Sequence, residues 1–333
     1  MHHFSQAVRR SVQAVIGLGI AAVAGPLSAQ GNSACTSYAQ GLPGGPSPRN
    51  VCNAAVDGAV LFTPVAGILV TGGNPFLGST GGLGGLPHLG ITLRVNATKL
   101  VVPDLNYNGA GTTVAAHQQL IAPAPLVEAA LGILRGGHGG ALALDALGSG
   151  QLLPTKLLDD VHVDINARRI GSIALGLGYG ARLTLIGDHG AVPAVTVSIM
   201  RRTLPRIGVG DLAVGDRYAF ASDLRSTDYR ITIGKHLSLL SLSAGVGRNH
   251  YRAATDLYFV DPLTGISQPP IHVDIDDTRD MGFVDAGLAA GPFYLIAEAG
   301  LQRGKDLGLV TTFAGNDPAA NRLFGSLGLR IGR

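Results

Sequence analysis

Residues 170–187 read IGSIALGLGYGARLTLIG and alternate almost without a break. In an extended chain Ile173, Leu175, Leu177, Tyr179, Ala181, Leu183 and Leu185 share one side, and Ser172, Ala174, Gly176, Gly178, Gly180, Arg182 and Thr184 the other. A membrane helix does not fit, because the glycines lower helix propensity and Arg182 would meet lipid. A dinucleotide loop fails too, since its fingerprint needs a helix after the glycines and an acidic residue about 20 positions on, whereas ARLTLIG continues the strand. What remains is a strand with one long apolar face, turned to a protein core or to lipid. The rest of the chain decides which.

Arg9 and Arg10 precede an apolar stretch, 12–24, and Pro26-Leu27-Ser28-Ala29 follows it. That is the charged, apolar and small-residue pattern of a secretory signal over residues 1–29, with the cut expected after Ala29. Asn32 stands where a lipoprotein signal needs an apolar residue before Cys35, so lipidation is not expected. Without residues 1–29 the chain carries 23 basic and 22 acidic residues in place of 25 and 22. Such neutrality gives no footprint for nucleic acid. No later stretch of about 18 apolar residues is free of charge or dense glycine, so no helical span is expected. Cys35 and Cys52 are the two cysteines, and in an oxidising compartment they read as one short-loop disulfide.

The two-faced pattern recurs. Leu89, Ile91, Leu93 and Val95 oppose Gly90, Thr92, Arg94 and Asn96; Leu240, Leu242 and Ala244 oppose Ser241, Ser243 and Gly245; Leu295 and Ala297 oppose Tyr294 and Glu298. Counting APLVEAALGILRGG as a strand, a segment that also suits a short helix, gives ten strands. They lie at roughly 88–103, 125–136, 140–153, 170–187, 191–204, 223–236, 237–250, 280–290, 292–304 and 322–332. Their connections alternate between tight (GGHGG, DHGA, KHLS, AAGP) and long ones rich in Pro, Asp and Asn. A soluble sandwich has no reason to sort loops by parity. The pattern therefore predicts an all-β, transmembrane, antiparallel up-and-down β-barrel of about ten strands, within roughly eight to fourteen, with both termini at the short-turn, periplasmic end. Its expected setting is the outer membrane of a Gram-negative-type bacterium, with outer-membrane lipid and the barrel-assembly machinery as partners. The aromatic girdle is thin: the chain has no Trp, Tyr229, Phe293 and Phe324 sit near strand ends, and Arg333 stands where such barrels commonly end in an aromatic.

Residues 53–78, NAAVDGAVLFTPVAGILVTGGNPFLG, resemble the N-terminal segment of the FadL/OmpP1 family of outer-membrane transporters for hydrophobic compounds. Thr63, Pro64 and Gly67 stand in for that family's Asn-Pro-Ala-Gly plug element, with Thr63 for Asn and Val65 inserted. The resemblance implies a plug or periplasmic segment over residues 30–86, a barrel over 87–333 and a route for small hydrophobic ligands. The family has fourteen strands, and this chain supports about ten, which leaves little bore.

Inward glycines at 176, 178 and 180 leave lumen space for the plug or a slim ligand, or else ease strand curvature. Inward Arg94, Arg182, Arg230 and Arg330 balance Asp145, Asp228, Asp285 and Glu298. Opposite charges across a narrow lumen pair into a network before they make a selective pore. VHVDI at 161–165 recurs as IHVDI at 271–275. Convergence of His162, Asp164, His272 and Asp274 above the rim would suit a divalent ion or an Asp/His hydrolase resembling the omptins. The alternative is polar strand faces beyond the membrane, and neither metal nor cofactor is expected. No nucleophile elbow or phosphate loop is present. Three functions follow: passive transport of small apolar molecules, a sealed structural or adhesive barrel acting through its long loops, or a surface hydrolase.

Overall fold

A computed structural model of the 333-residue chain describes residues 30–39, 47–154, 160–163, 169–170 and 172–332. The expected signal segment, Asp164 and Arg333 lie outside the described residues. Two helices come first, α1 (Gln30–Ala39) and α2 (Ser47–Thr71). The strands in chain order are β1 (Leu89–Pro103), β2 (Thr113–Val114), β3 (Ala116–Leu134), β4 (Leu144–Pro154), β5 (Val161–Val163), β6 (Arg169–Ile170), β7 (Ile173–Ile186) and β8 (Ala194–Thr203). They continue as β9 (Ile207–Val209), β10 (Tyr218–Leu237), β11 (Leu240–Phe259), β12 (Ile271–Ala290), β13 (Phe293–Gln302), β14 (Thr312–Phe313) and β15 (Arg322–Gly332).

Ten of these, β1, β3, β4, β7, β8, β10, β11, β12, β13 and β15, form a closed antiparallel barrel in sequence order, and β15 pairs with β1 from Gly332↔Gly90 to Phe324↔Thr98. The alternation read in 170–187 is carried by β7, where Ala174, Arg182 and Thr184 are buried while Leu177 and Tyr179 are exposed. Outside, Leu93, Val95, Leu131, Ile199, Ile231, Val246, Val284, Leu295 and Leu327 are exposed around the whole wall. Monomeric soluble proteins rarely expose contiguous apolar surface on that scale, and a continuous outer band is what hydrocarbon requires of a barrel. The connections sort by end, with turns at 135–143, 187–193, 238–239 and 291–292 opposite the long connections at 104–115, 204–217, 260–270 and 303–321.

Two expectations change. Strands β3, β10, β11 and β12 run five to nine residues further toward the long-loop end than the alternation marked. There the wall rises past the apolar band and its outer face is polar, so the signal fades. Phe324, counted among girdle aromatics, is 5% exposed and points inward, its ring filling the space that Gly300 leaves beside it.

The larger change concerns the N-terminal segment. The 25-residue helix α2 is long and apolar enough to cross a membrane, where the sequence reading expected no such helix, and it lies inside the barrel, mostly buried. Its first turns sit at the long-loop end. Asn50 Nδ2 donates to the carbonyls of Gly109 at 2.9 Å and Gly111 at 2.8 Å, and Asp57 accepts from the amides of Val310 and Thr311. Residues 72–88 continue down to the turn end, where the Gly132 amide donates to His88 at 2.9 Å and the Leu83 amide to Asp145 at 3.2 Å. The chain thus threads the lumen before β1 begins. Helix α1 stays at the long-loop mouth, its Tyr38 ring edge-on to Phe259 with centroids 4.7 Å apart. Its position corrects the expectation of both termini at the turn end.

Cys35 and Cys52 form the expected disulfide, at that mouth, and both are fully buried. The bridge ties α1 to α2, and constraining so short a loop is worth about 3 kcal/mol in the chain-entropy model. Replacing both cysteines with serine is expected to expose α1 to protease while the barrel keeps its heat-modifiable gel mobility. Retained protection of α1 would show that packing, not the bridge, holds it.

Candidate functional site

The lumen divides into two halves with different chemistry. In the long-loop half α2 is apolar on nearly every side and packs into one core with Leu100, Val102, Leu153, Phe220, Tyr251 and Ile275 of the wall. Thr63, Pro64 and Gly67 lie on this helix. The Thr63 hydroxyl donates to the Ala59 carbonyl at 2.9 Å, a back-bond that keeps a polar group satisfied in an apolar site. Gly67 faces Tyr251 so closely that a Cβ there would lie 2.3 Å from the ring's Cε1.

In the turn half the backbone of 72–83 is irregular, and a buried irregular backbone must find partners for its N–H and C=O groups. The wall charges supply them. Glu298 accepts from the amides of Gly73 at 3.0 Å and Asn74 at 2.6 Å, Glu128 from Leu77 at 3.0 Å, and Asp145 from Leu83. Arg94 Nη1 donates to the Asn74 carbonyl at 2.7 Å, and Arg230 donates to the carbonyls of Gly73 at 2.9 Å and Gly72 at 3.3 Å. Two amides finish the helix end, Asn96 on Leu69 O at 2.7 Å and Gln151 on Val70 O at 2.9 Å. Cations and amide donors at the C-terminus of α2 also meet the negative end of its dipole.

The charges bond one another as well. Arg94 pairs with Glu128 at 3.0 Å and with Glu298, Arg182 with Asp145 at 2.7 Å, and Arg202 with Asp228; these side chains are nearly inaccessible. Asp285 accepts from Asn74 Nδ2 at 2.9 Å and Ser243 at 2.7 Å. Arg330 has no carboxylate partner among the described residues and stacks instead on Tyr294, 4.5 Å from the ring centroid. All eight charges expected to face the lumen are on its inner wall. Glu128 and Arg202 escaped the sequence reading, although continuing the faces through Ala130 and through Thr196 and Ser198 reaches both.

Gly176, Gly178 and Gly180 do not receive the plug. A Cβ at Gly176 would press on Gln151, at Gly178 on Ser149 and Arg202, and at Gly180 on the β8 backbone. Their absent side chains make room for neighbouring wall residues. The wall glycines against the threaded segment are Gly90 under Phe76, Gly132 under Gly85, Gly234 under Thr80 and Gly328 under Leu77.

The histidine motifs do not converge. His162 on β5 covers Gly208 of β9, and His272 on β12 bonds Asp256 at 2.9 Å. The path β5, β9, β10, β11, β12 separates them by four strand spacings, about 19 Å. The Asp256 hydrogen bond raises the His272 imidazole above its ordinary value, and the same bond is the main cause lowering Asp256. Among the described residues no cluster of three or more His, Cys, Asp or Glu could hold a metal ion. These are polar strand faces beyond the apolar band.

Among the described residues the β3–β4 ladder stops well short of the β3–β1 ladder. β3 pairs with β1 from Ala116 onward, but with β4 only from Leu126↔Gln151 to Leu134↔Leu144. Residues 116–125 therefore have no described ladder partner on the β4 side, where His117 comes within 3.9 Å of Asp160. They include Pro123 and Pro125, which have no N–H for a ladder and favour a strand edge. Behind this seam lies a cavity of about 350 Å³, lined by Phe62, Ala66 and Leu69 of α2, Ala122 and Ala124 of β3, and Leu153 of β4. Val95, Pro123 and Pro125 from the outer face also border it, so it reaches through the wall.

No family model matches the chain, and no curated protein does. Solved structures it resembles are outer-membrane β-barrels. The outer membrane protease OmpT of Escherichia coli aligns with 74% of this chain and 97% of its own, at 10% identity and TM-score 0.38. The translocator domain of the autotransporter NalP of Neisseria meningitidis aligns with 90% of this chain and 96% of its own, at 12% identity and TM-score 0.35. A Pseudomonas aeruginosa FadL homologue aligns with 74% and 90%, at 9% identity and TM-score 0.18. The chain folds as a ten-stranded antiparallel barrel whose lumen is occupied by its own N-terminal segment.

Proposed function

We propose that this barrel resides in the outer membrane and takes a small apolar molecule from the surrounding lipid into the cavity behind the β3–β4 seam. The observation that carries the reading is the cavity itself. Its walls are almost wholly aliphatic, aromatic or proline, it falls within the usual range of ligand pockets, about 300–1,000 Å³, and its outer edge is formed by Val95, Pro123 and Pro125. Passage onward to the turn end requires movement of residues 72–83, because the polar clamp fills that half of the lumen. The same clamp favours a second reading, a permanently sealed barrel acting through its long loops. Lipid and the barrel-assembly machinery are the partners either reading needs.

The test is saturable binding of an uncharged fluorescent naphthylamine probe by the refolded protein in detergent. Ala124→Trp fills the cavity and is expected to weaken binding at least about tenfold, some 1.4 kcal/mol. Equal binding by wild type and Ala124→Trp, or none by wild type, would leave the sealed barrel standing.

A further inference from the structure

At the short-turn end, below the clamp, a second cavity of about 270 Å³ opens between the threaded segment and the wall. Its chemistry differs from that of the seam. Phe76 and Tyr294 provide two aromatic walls, and Gly82, Gly140 and Gly187 leave backbone in place of side chains around the opening. Arg330 enters this space as a cation without a carboxylate. Its guanidinium stacks on Tyr294 at 4.5 Å and faces Phe76 at 5.8 Å, and its hydrogen bond to the Leu77 carbonyl is long, at 3.5 Å. Stacking of this kind fixes the plane of the fork and leaves its donors pointing along that plane.

Asp188 also lines the cavity, but its charge is engaged by Lys235 and by the His236 amide at 2.8 Å. Four strands round the wall from Arg330, Thr184 borders the same space; its hydroxyl is buried, with Thr184 1% exposed, and has no hydrogen-bond partner. Its oxygen is shielded from the cavity, so Arg330 is the donor that a ligand meets.

We propose that this cavity binds a small organic carboxylate with a flat apolar body, entering from the short-turn end. The carboxylate lies against the Arg330 fork, the pairing for which a planar guanidinium is shaped, and the body stacks between Phe76 and Tyr294. The cavity is smaller than the usual range for drug-sized ligands, so a single-ring acid is the size class. The site is independent of the seam cavity, which lies in the other half of the lumen, so either can fail without the other.

The probe is benzoate, titrated into the refolded full chain in detergent with binding heat and thermal midpoint as readouts, and inorganic phosphate as comparison. Wild type is expected to bind benzoate saturably, to melt at higher temperature with it, and to bind phosphate more weakly. Arg330→Gln should weaken benzoate binding at least about tenfold, the loss expected for one charge-assisted hydrogen-bonded contact. Tyr294→Leu, which removes one aromatic wall, should weaken it severalfold and serves as the reporter if Arg330→Gln does not fold. Absence of benzoate binding by wild type, wild-type affinity in both variants, or phosphate bound as tightly as benzoate would overturn the proposal.

Discussion

Glu298→Ala is expected to loosen the threaded segment and to destabilise the protein by about 3–5 kcal/mol, the cost of breaking a buried pair by removing one partner. Three donors lose an acceptor together, the Gly73 and Asn74 amides and Arg94 Nη2, while the Ser326 hydroxyl keeps Asn96 Oδ1 at 2.8 Å. Arg94 keeps Glu128, so it is left half-compensated in the middle of the wall. The denaturant midpoint in detergent should fall, and ion conduction across a planar bilayer should appear where wild type is closed, because the start of the threaded segment at Gly73 and Asn74 loses its carboxylate anchor. Glu298→Gln retains an acceptor for one of the two amides and should lose less. An unchanged midpoint together with a closed lumen in Glu298→Ala would show that the clamp does not hold the segment.

Gly67→Leu sets two effects of opposite sign against each other, and their balance reports where α2 is. In an exposed helix interior, exchanging Gly for a good helix former gains up to about 1 kcal/mol. Inside the barrel the new side chain meets the Tyr251 ring, which cannot swing away cheaply because its hydroxyl accepts from Asn249 at 2.6 Å and Gln302 at 2.9 Å. Forcing extra methylenes into such a core costs about 1–3 kcal/mol, occasionally more. Sterics therefore win, and the unfolding midpoint should drop. A rise in midpoint would place residues 47–71 outside the lumen.

How much of this was legible in sequence varies by element. The ten strands were, because a wall between lipid and a filled lumen imposes a period of two on every crossing, as in 89–97 and 170–187. The strand extensions at 116–124, 251–259 and 271–279 were not, since beyond the apolar band the outer face meets water, and IHVDIDDTRD carries charge on both faces. Helix α2 was hidden for the opposite reason. A helix buried all round has no polar stripe to give a 3.6-residue signal, and Gly58, Pro64 and Gly67 argue against a helix on propensity alone. One of those is explained by the wall: Gly67 admits Tyr251, whereas a Cβ at Gly58 would meet Phe220 at an ordinary 3.5 Å.

The charged lumen was foreseen as a self-paired network, but its main task was not visible. Arg94, Arg230, Glu128, Asp145 and Glu298 serve the backbone of TGGNPFLGSTGGL, a segment that reads in sequence as turn-rich and that nothing local fixes in space. Nor could alternation reveal the direction of threading. That rests on contacts such as Asn50 with Gly109 and Asp57 with Thr311, between residues 59 and 254 positions apart.

Threading is the central claim, and epitope accessibility in a bacterium carrying the protein in its outer membrane tests it most directly. One epitope is placed between α1 and α2, a second in the 260–270 connection and a third in the 187–193 turn. The first and second are expected to be stained on intact cells, and the third only after the envelope is permeabilised. An α1–α2 epitope that stains only together with the 187–193 turn would contradict a segment that enters the lumen from the long-loop mouth.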